Sequence, residues 1–279
     1  VKKLKFLMAS STYAGIYNVK QILKTKDSNG LIFGEELAKI GWNGSEKVGA
    51  EKMHCYFELH IEQGPILENE NIDIGVVTHG QGLKWLEVEL NGLEQHTGTT
   101  PMNVRKDAGL MMSIIINEVN KIAKENLPNV VGSVGHIEVT PNSRNVIAGK
   151  ALFTIDIRSH VLEKLDKMYL DIKRFIENKC KLMEIKYSIN QIAGFDPITF
   201  DKRYVELIRN AAIKFGYSNK NIISGAGHDA CAINKVVPSA MIMCPCVNGI
   251  SHNEAEEIKK EWAVSSTNVL MHAAIEAAS

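Results

Sequence analysis

The sequence predicts an α/β protein in which a layered domain of helices and strands is interrupted by an inserted ferredoxin-like unit. Three observations predict it. Residues Lys84 to Asn190 read in the order βαββαβ, in which both helices can cover one face of an antiparallel sheet. The pieces on either side share another style, helices mixed with short apolar strands, and each is incomplete alone. No repeat or low-complexity tract separates them, so the crossings are short. The expected division is 1–79 with 193–279 for the larger domain and 80–192 for the insert.

Taken in order, helical stretches fall near Thr12 to Lys24 and Gly34 to Ile40, followed by a strand from Tyr56 to Ile61. Ser28 to Gly30 and Trp42 to Gly44 read as turns. The insert reads as a strand (Trp85 to Leu90), a helix (Arg105 to Leu127) and two strands (Val130 to Val139, Ala151 to Arg158). A helix (Leu162 to Leu182) and a strand (Ile185 to Ile189) complete it, and each strand shows the alternation of one buried face. A helix from Lys202 to Phe215, an apolar strand from Ser239 to Cys244 and a last helix from Glu261 to Ala277 follow. Glycines near Thr78 to Gly82 and Gln191 to Gly194 mark the expected hinges.

With 279 residues and 45% hydrophobic content, the chain can bury one large core or two moderate ones. Lys and Arg number 32, as do Asp and Glu, so no charge excess favours nucleic acid or an acidic membrane. A small ligand is expected instead. No run of about 18 apolar residues is free of charge, which argues against a spanning helix. The apolar part of Val1 to Ser10 is too short for a secretory signal. The five cysteines, Cys55, Cys180, Cys231, Cys244 and Cys246, lack paired metal or redox spacing, so a reducing cytoplasm is the expected compartment. Cys244 and Cys246 flank Pro245 in an apolar run and read as buried thiols.

Four polar clusters carry the chemistry. His60-Ile61-Glu62-Gln63-Gly64-Pro65 ends a strand whose alternation sets Glu58 and His60 on one face, Leu59 and Ile61 on the other. An imidazole there either binds a metal or satisfies a backbone carbonyl. Glu62 either orients the loop, supplies polarity behind a ligand or stands at the surface. Gln95 to Met102 sets His96 in a turn rich in Thr and Gly. In Ser224 to Ala230, Gly225 and Gly227 permit close backbone approach, while His228 and Asp229 either face a ligand or cap the next helix. Gly249 to Asn253 places His252 in a turn beside Glu254, Glu256 and Glu257. Outside these clusters, Arg158 can grip a carboxylate with two parallel bonds or pair with Asp156.

In this order the segments resemble the M20-type metallopeptidase superfamily, in its hydantoinase/carbamoylase branch of N-carbamoyl-L-amino-acid hydrolases, allantoate amidohydrolases and beta-ureidopropionases. The resemblance runs from about Lys5 to the C-terminus and lacks the beginning of the family's chain. It implies an incomplete zinc-exopeptidase-like α/β catalytic domain whose insert serves as lid and dimerisation domain, giving a homodimer. The implied activity is hydrolysis of a non-peptide C–N bond in a small carboxylated ureido or N-carbamoyl acid. By resemblance, His60 and His252 are metal ligands for zinc or manganese. His96 polarises the carbonyl or stabilises the oxyanion, and it joins Gln63, Asn145, Arg158 and Gly227 in binding substrate. Ala148 stands where the family's turn usually has proline.

The family's other ligands, a His, a bridging Asp and a Glu next to the catalytic Glu, come from its first third. Glu35 and Glu36 are adjacent, yet they follow the Met8 to Gly15 stretch that already matches sequence beyond that pair, so they read as a solvated helix start. Two imidazoles fall short of a usual ligand set. The expectation is therefore a truncated chain, inactive alone, holding metal weakly or not at all. The alternative is a noncatalytic carboxylate-binding or dimer-forming remnant of the family.

Overall fold

The computed structural model describes residues 7–27, 29–49 and 51–279. The basic start at residues 1–6 and Ser28 of the first expected turn lie outside them. Along the chain run α1 (Met8–Tyr13), α2 (Val19–Leu23), α3 (Phe33–Lys39), β1 (Tyr56–Ile61), α4 (Ile66–Asn69) and β2 (Ile74–Gly80). Then come β3 (Gly82–Asn91), α5 (Ala108–Glu125), β4 (Val130–Thr140), β5 (Lys150–Ser159), α6 (Leu162–Leu182) and β6 (Lys186–Phe195). The last are β7 (Ile198–Thr199), α7 (Lys202–Lys214), β8 (Asn219–Ser224), α8 (Asp229–Ile233), β9 (Ser239–Cys244) and α9 (Lys260–Ala278). They form two compact units, one from the stretches up to Gly80 and from Ile198 onward, the other Gln81–Pro197.

The Gln81–Pro197 unit is a four-stranded antiparallel sheet in the order β4-β5-β3-β6. Alternation along β5 turns Ala151, Phe153, Ile155 and Ile157 inward, against Met111, Ile115 and Val119 of α5 and Leu165, Met168 and Ile172 of α6. Those helix positions recur at intervals of three and four, the spacing of one buried stripe. Helix α5 starts at Ala108 and not at Arg105, because the Asp107 carboxylate accepts the Leu110 N–H at 3.0 Å and caps it there. The expected hinge at Gln191 to Gly194 lies inside β6, paired with β3, and a register shift beside Trp85 and Leu86 marks the stretch where the periodic pattern is interrupted.

The other unit is built on a mixed sheet in which β1 is parallel to β9, β9 antiparallel to β2, and β2 parallel to β8. Every residue of β9 is buried, whereas β1 is half-buried throughout. Helices α7 and α9 pack together, and Ile208, Ala211, Val269 and Ala273 share a core with Val76, Ile242 and Met243. Strands β2 and β8 escape sequence patterning. Ile74–Val77 is buried without alternation and β8 opens on Asn219-Lys220-Asn221, so neither shows a period of two. Thr78 to Gly82 is divided between the end of β2 and the start of β3. The helix expected over Thr12 to Lys24 is broken in two: Gly15 turns left-handed at φ +72°, and Asn18 caps a new start by accepting the Lys20 N–H at 2.9 Å.

Candidate functional site

Strand β1 presents Glu58 and His60 on one face, and α8 packs against that strand. Strand β8 pairs with β2, whereas α8 packs on β1 beyond β9, so residues 225–228 lead across the sheet before α8 begins. That crossing brings the His228 ring to 4.5 Å from the His60 ring, centroid to centroid, at 63°. Glu58 lies behind the pair: its Oε2 accepts the Ala230 N–H at 2.6 Å and its Oε1 stands 3.7 Å from His228 Nδ1. The side chain of His228 makes no capping bond, so the first turn of α8 is capped from β1, by Glu58.

Burial decides the charges in this cluster. His228 is 3% exposed, and burial, reinforced by repulsion from His60, holds it down at about 4, so its ring is neutral at neutral pH. Burial raises the Glu58 carboxyl, and the backbone N–H of Ala230 opposes that rise. His228 Nε2 has no hydrogen-bond partner among the described residues. His60 Nδ1 lies 2.8 Å from the Ile61 carbonyl; as a donor there it leaves Nε2 to a ligand.

The loop after β1 is tied to the turn that carries His252. Gln63, left-handed at φ +58°, donates from Nε2 to Ser251 Oγ at 2.7 Å. Ser251 in turn donates to Glu256 Oε2 at 2.8 Å, which also accepts the His252 N–H at 3.1 Å. Gly249 permits the approach: its φ is +64°, and a Cβ there would lie 2.6 Å from the Pro65 nitrogen. His252, exposed, lines an open surface depression with Asn253 and Glu254. Glu62 orients the loop, accepting the Ile66 and Leu67 N–H groups at 3.0 and 2.8 Å. Gly227 sits half-buried, one residue before His228.

In the Gln81–Pro197 unit, His96 and Asn145 meet. Thr97 N–H donates to the Asn145 carbonyl at 2.9 Å, and His96 bridges to Val146. Gly98 N–H donates to His96 Nδ1 at 3.1 Å, which makes Nδ1 an acceptor and puts the proton of the neutral ring on Nε2. Arg105 clamps this turn through the Thr97 and Thr100 carbonyls, at 2.6 and 2.9 Å from Nη2. Arg158 is elsewhere. It pairs with Asp156, Nε to Oδ1 at 3.0 Å and Nη2 to Oδ2 at 2.6 Å, as alternation two residues apart on one strand face allows. Asn145 precedes β5 and Arg158 nearly ends it. The eight steps from Lys150 to Arg158 alone span about 26 Å at ~3.3 Å each. One copy of the chain does not bring Arg158 to Asn145 and His96.

For a divalent cation, the fit is partial. His60 offers a ring nitrogen with its other nitrogen engaged by a carbonyl, the arrangement usual for a ligating imidazole. Among the described residues, however, no three His, Cys, Asp or Glu side chains are grouped to hold a metal ion. Nor is any helix among them long and apolar enough to cross a membrane. Glu35 and Glu36 occupy the first turn of α3, a solvated helix start.

Residues 11–276 match the family described as Peptidase family M20/M25/M40. The chain belongs to that family. It is 53% identical over 272 residues to an N-carbamoyl-L-amino-acid amidohydrolase of Rhizobium meliloti, covering 98% of this chain and 65% of that protein. Identity to the allantoate amidohydrolase of Escherichia coli (strain K12) is 32% over 249 residues, covering 88% and 61%. The crystal structure of an amidase of the hydantoinase/carbamoylase family from Burkholderia multivorans superposes with a TM-score of 0.93 at 41% identity, covering 99% of this chain and 67% of that one. The chain thus spans 65% and 61% of the length of the two named amidohydrolases. For this M20 chain, sequence reasoning missed Glu58 as a cap, Ser251 and Glu256 as supports of the His252 turn, and Arg105 as a clamp. Glu58 left a signal in its place on the His60 face of β1, and Glu256 in the acidic run beside the His252 turn.

Proposed function

We propose that this M20 chain serves the hydrolysis of a linear N-carbamoyl or ureido acid at a non-peptide C–N bond. One observation carries the proposal: His96, on an exposed and clamped turn, has Nδ1 occupied by Gly98 N–H and therefore presents Nε2–H as a donor. A fixed donor of this kind stabilises negative charge developing on a carbonyl oxygen. Asn145, joined to the same turn, donates to the same substrate. Arg158 anchors the substrate carboxylate after releasing Asp156, and Gln63 and Gly227 bind substrate beside β1 and α8. His60 and His252 are the proposed ligands of a zinc or manganese ion, which when bound would activate water. The separation of Arg158 from Asn145 along β5 favours a homodimer in which His96 and Asn145 of one copy serve the ligand gripped by Arg158 of the other. A charge-balanced chain in a reducing cytoplasm suits such a small carboxylated substrate.

The test is ammonia release from N-carbamoyl-L-amino acids and from allantoate, after loading with zinc or manganese. Release that disappears in His96→Ala supports the hydrolase. Saturable binding of the acids without release favours a second proposal, a noncatalytic carboxylate-binding or dimer-forming protein of the same family. The partial ligand set among the described residues favours that alternative. Neither binding nor release would remove both.

A further inference from the structure

We infer that Glu58 is a positioning residue, which fixes His228 through the start of α8 and, through His228, fixes the ring plane of His60. The inference deepens the proposed site and rests on it only for the role of His60. Its two carboxylate oxygens have different tasks. Oε2 takes the Ala230 N–H at 2.6 Å and so anchors the turn from which His228 projects, while Oε1 faces His228 Nδ1 at 3.7 Å. Among the described residues the buried His228 Nε2 lacks a hydrogen-bond partner and its side chain makes no capping bond, so the Glu58 carboxylate is the charged group that meets its ring. Its ring lies edge to face on His60 at 4.5 Å. His60 is fixed along one axis by the Ile61 carbonyl at 2.8 Å, which leaves rotation about that bond open to any neighbour that presses on the ring. His228 is that neighbour. A buried carboxylate that capped a helix and did nothing more would be replaceable by an amide, because an amide oxygen also accepts the Ala230 N–H. An amide removes the negative charge opposite His228.

Glu58→Gln in the full chain separates the two roles. Imidazole nitrogen resonances are recorded for His60 and His228, with thermal unfolding as a check on the fold and Glu206→Gln, an exposed carboxylate of α7 that pairs with Arg209, as the control. The expected result is an unchanged unfolding midpoint with displaced or doubled signals for both rings, and signals like wild type in Glu206→Gln. A folded Glu58→Gln protein with the His60 signal of wild type overturns the inference. Should Glu58→Gln fail to fold, His228→Asn reads the second link, and an unmoved His60 signal there overturns it equally. No turnover enters the readout, so failure of the ammonia assay removes the proposed activity without touching this result.

Discussion

At the scale of single residues, the site depends on a few side chains held by backbone groups. Arg105 donates three times to the His96 turn, at 3.2, 2.6 and 2.9 Å. Arg105→Ala should loosen that turn by about 1–2 kcal/mol, the scale of lost charged hydrogen bonds at a part-buried position, seen as faster hydrogen exchange at Gly98 and Thr100. Arg105→Lys should not restore it, since an ammonium cannot reproduce the planar fork. Arg158→Ala should weaken binding of carboxylated ligands by roughly 1.5–3 kcal/mol in calorimetry, while Asp156→Asn, which removes the competing carboxylate, should strengthen it. Unchanged affinity in both variants would remove the role of Arg158. The thiols make a third prediction. Burial raises all five thiols, Cys180 and Cys231 to about 11, and Cys55 alone among them is only half-buried. Access therefore decides the order: one thiol, Cys55, should react with a disulfide reagent while the four buried ones do not, and its rate should climb with pH because a raised thiol carries less thiolate at pH 8.

At the scale of elements, the loops after β1 and β9 work as a pair. Gly249→Ala sets a Cβ 2.6 Å from the Pro65 nitrogen at a backbone φ of +64°, and should cost about 1–3 kcal/mol in denaturant unfolding. An unaffected midpoint would mean that the two loops do not meet. How legible such features are in the sequence depends on whether their partners are neighbours along it. Strand β1 and helix α6 could be read because their periodicity is local, β9 because its apolar run from Ala240 to Cys244 is unbroken, and the His60 and His96 clusters because each is contiguous. The cap from Glu58 to Ala230 joins residues 172 apart, and the bond from Gln63 to Ser251 joins residues 188 apart, so no window along the sequence contains them. Strand β2 was hidden for a different reason, burial without alternation. The pairing of Arg158 with Asp156 was legible as one of two readings, since both lie on the same face of β5.

At the scale of the whole molecule, two separate cores and the separation of Arg158 from Asn145, both proposed to bind substrate, set the predictions. Phe153, fully buried in the Gln81–Pro197 core, should cost about 3–5 kcal/mol on truncation to Ala, with lost amide protection concentrated in that unit. The central claim is that Arg158 of one copy and Asn145 of another serve one ligand. The measurement that tests it most directly is calorimetric titration of an N-carbamoyl-L-amino acid into Asn145→Ala, Arg158→Ala and a subunit-exchanged equal mixture of the two. Each variant alone should bind weakly. The mixture should regain about a quarter of the wild-type sites at wild-type affinity, because half of the randomly paired dimers carry one intact site. A mixture that regains none, with both variants folded, would contradict the account, as would a wild-type chain that remains a monomer by light scattering while it binds the ligand.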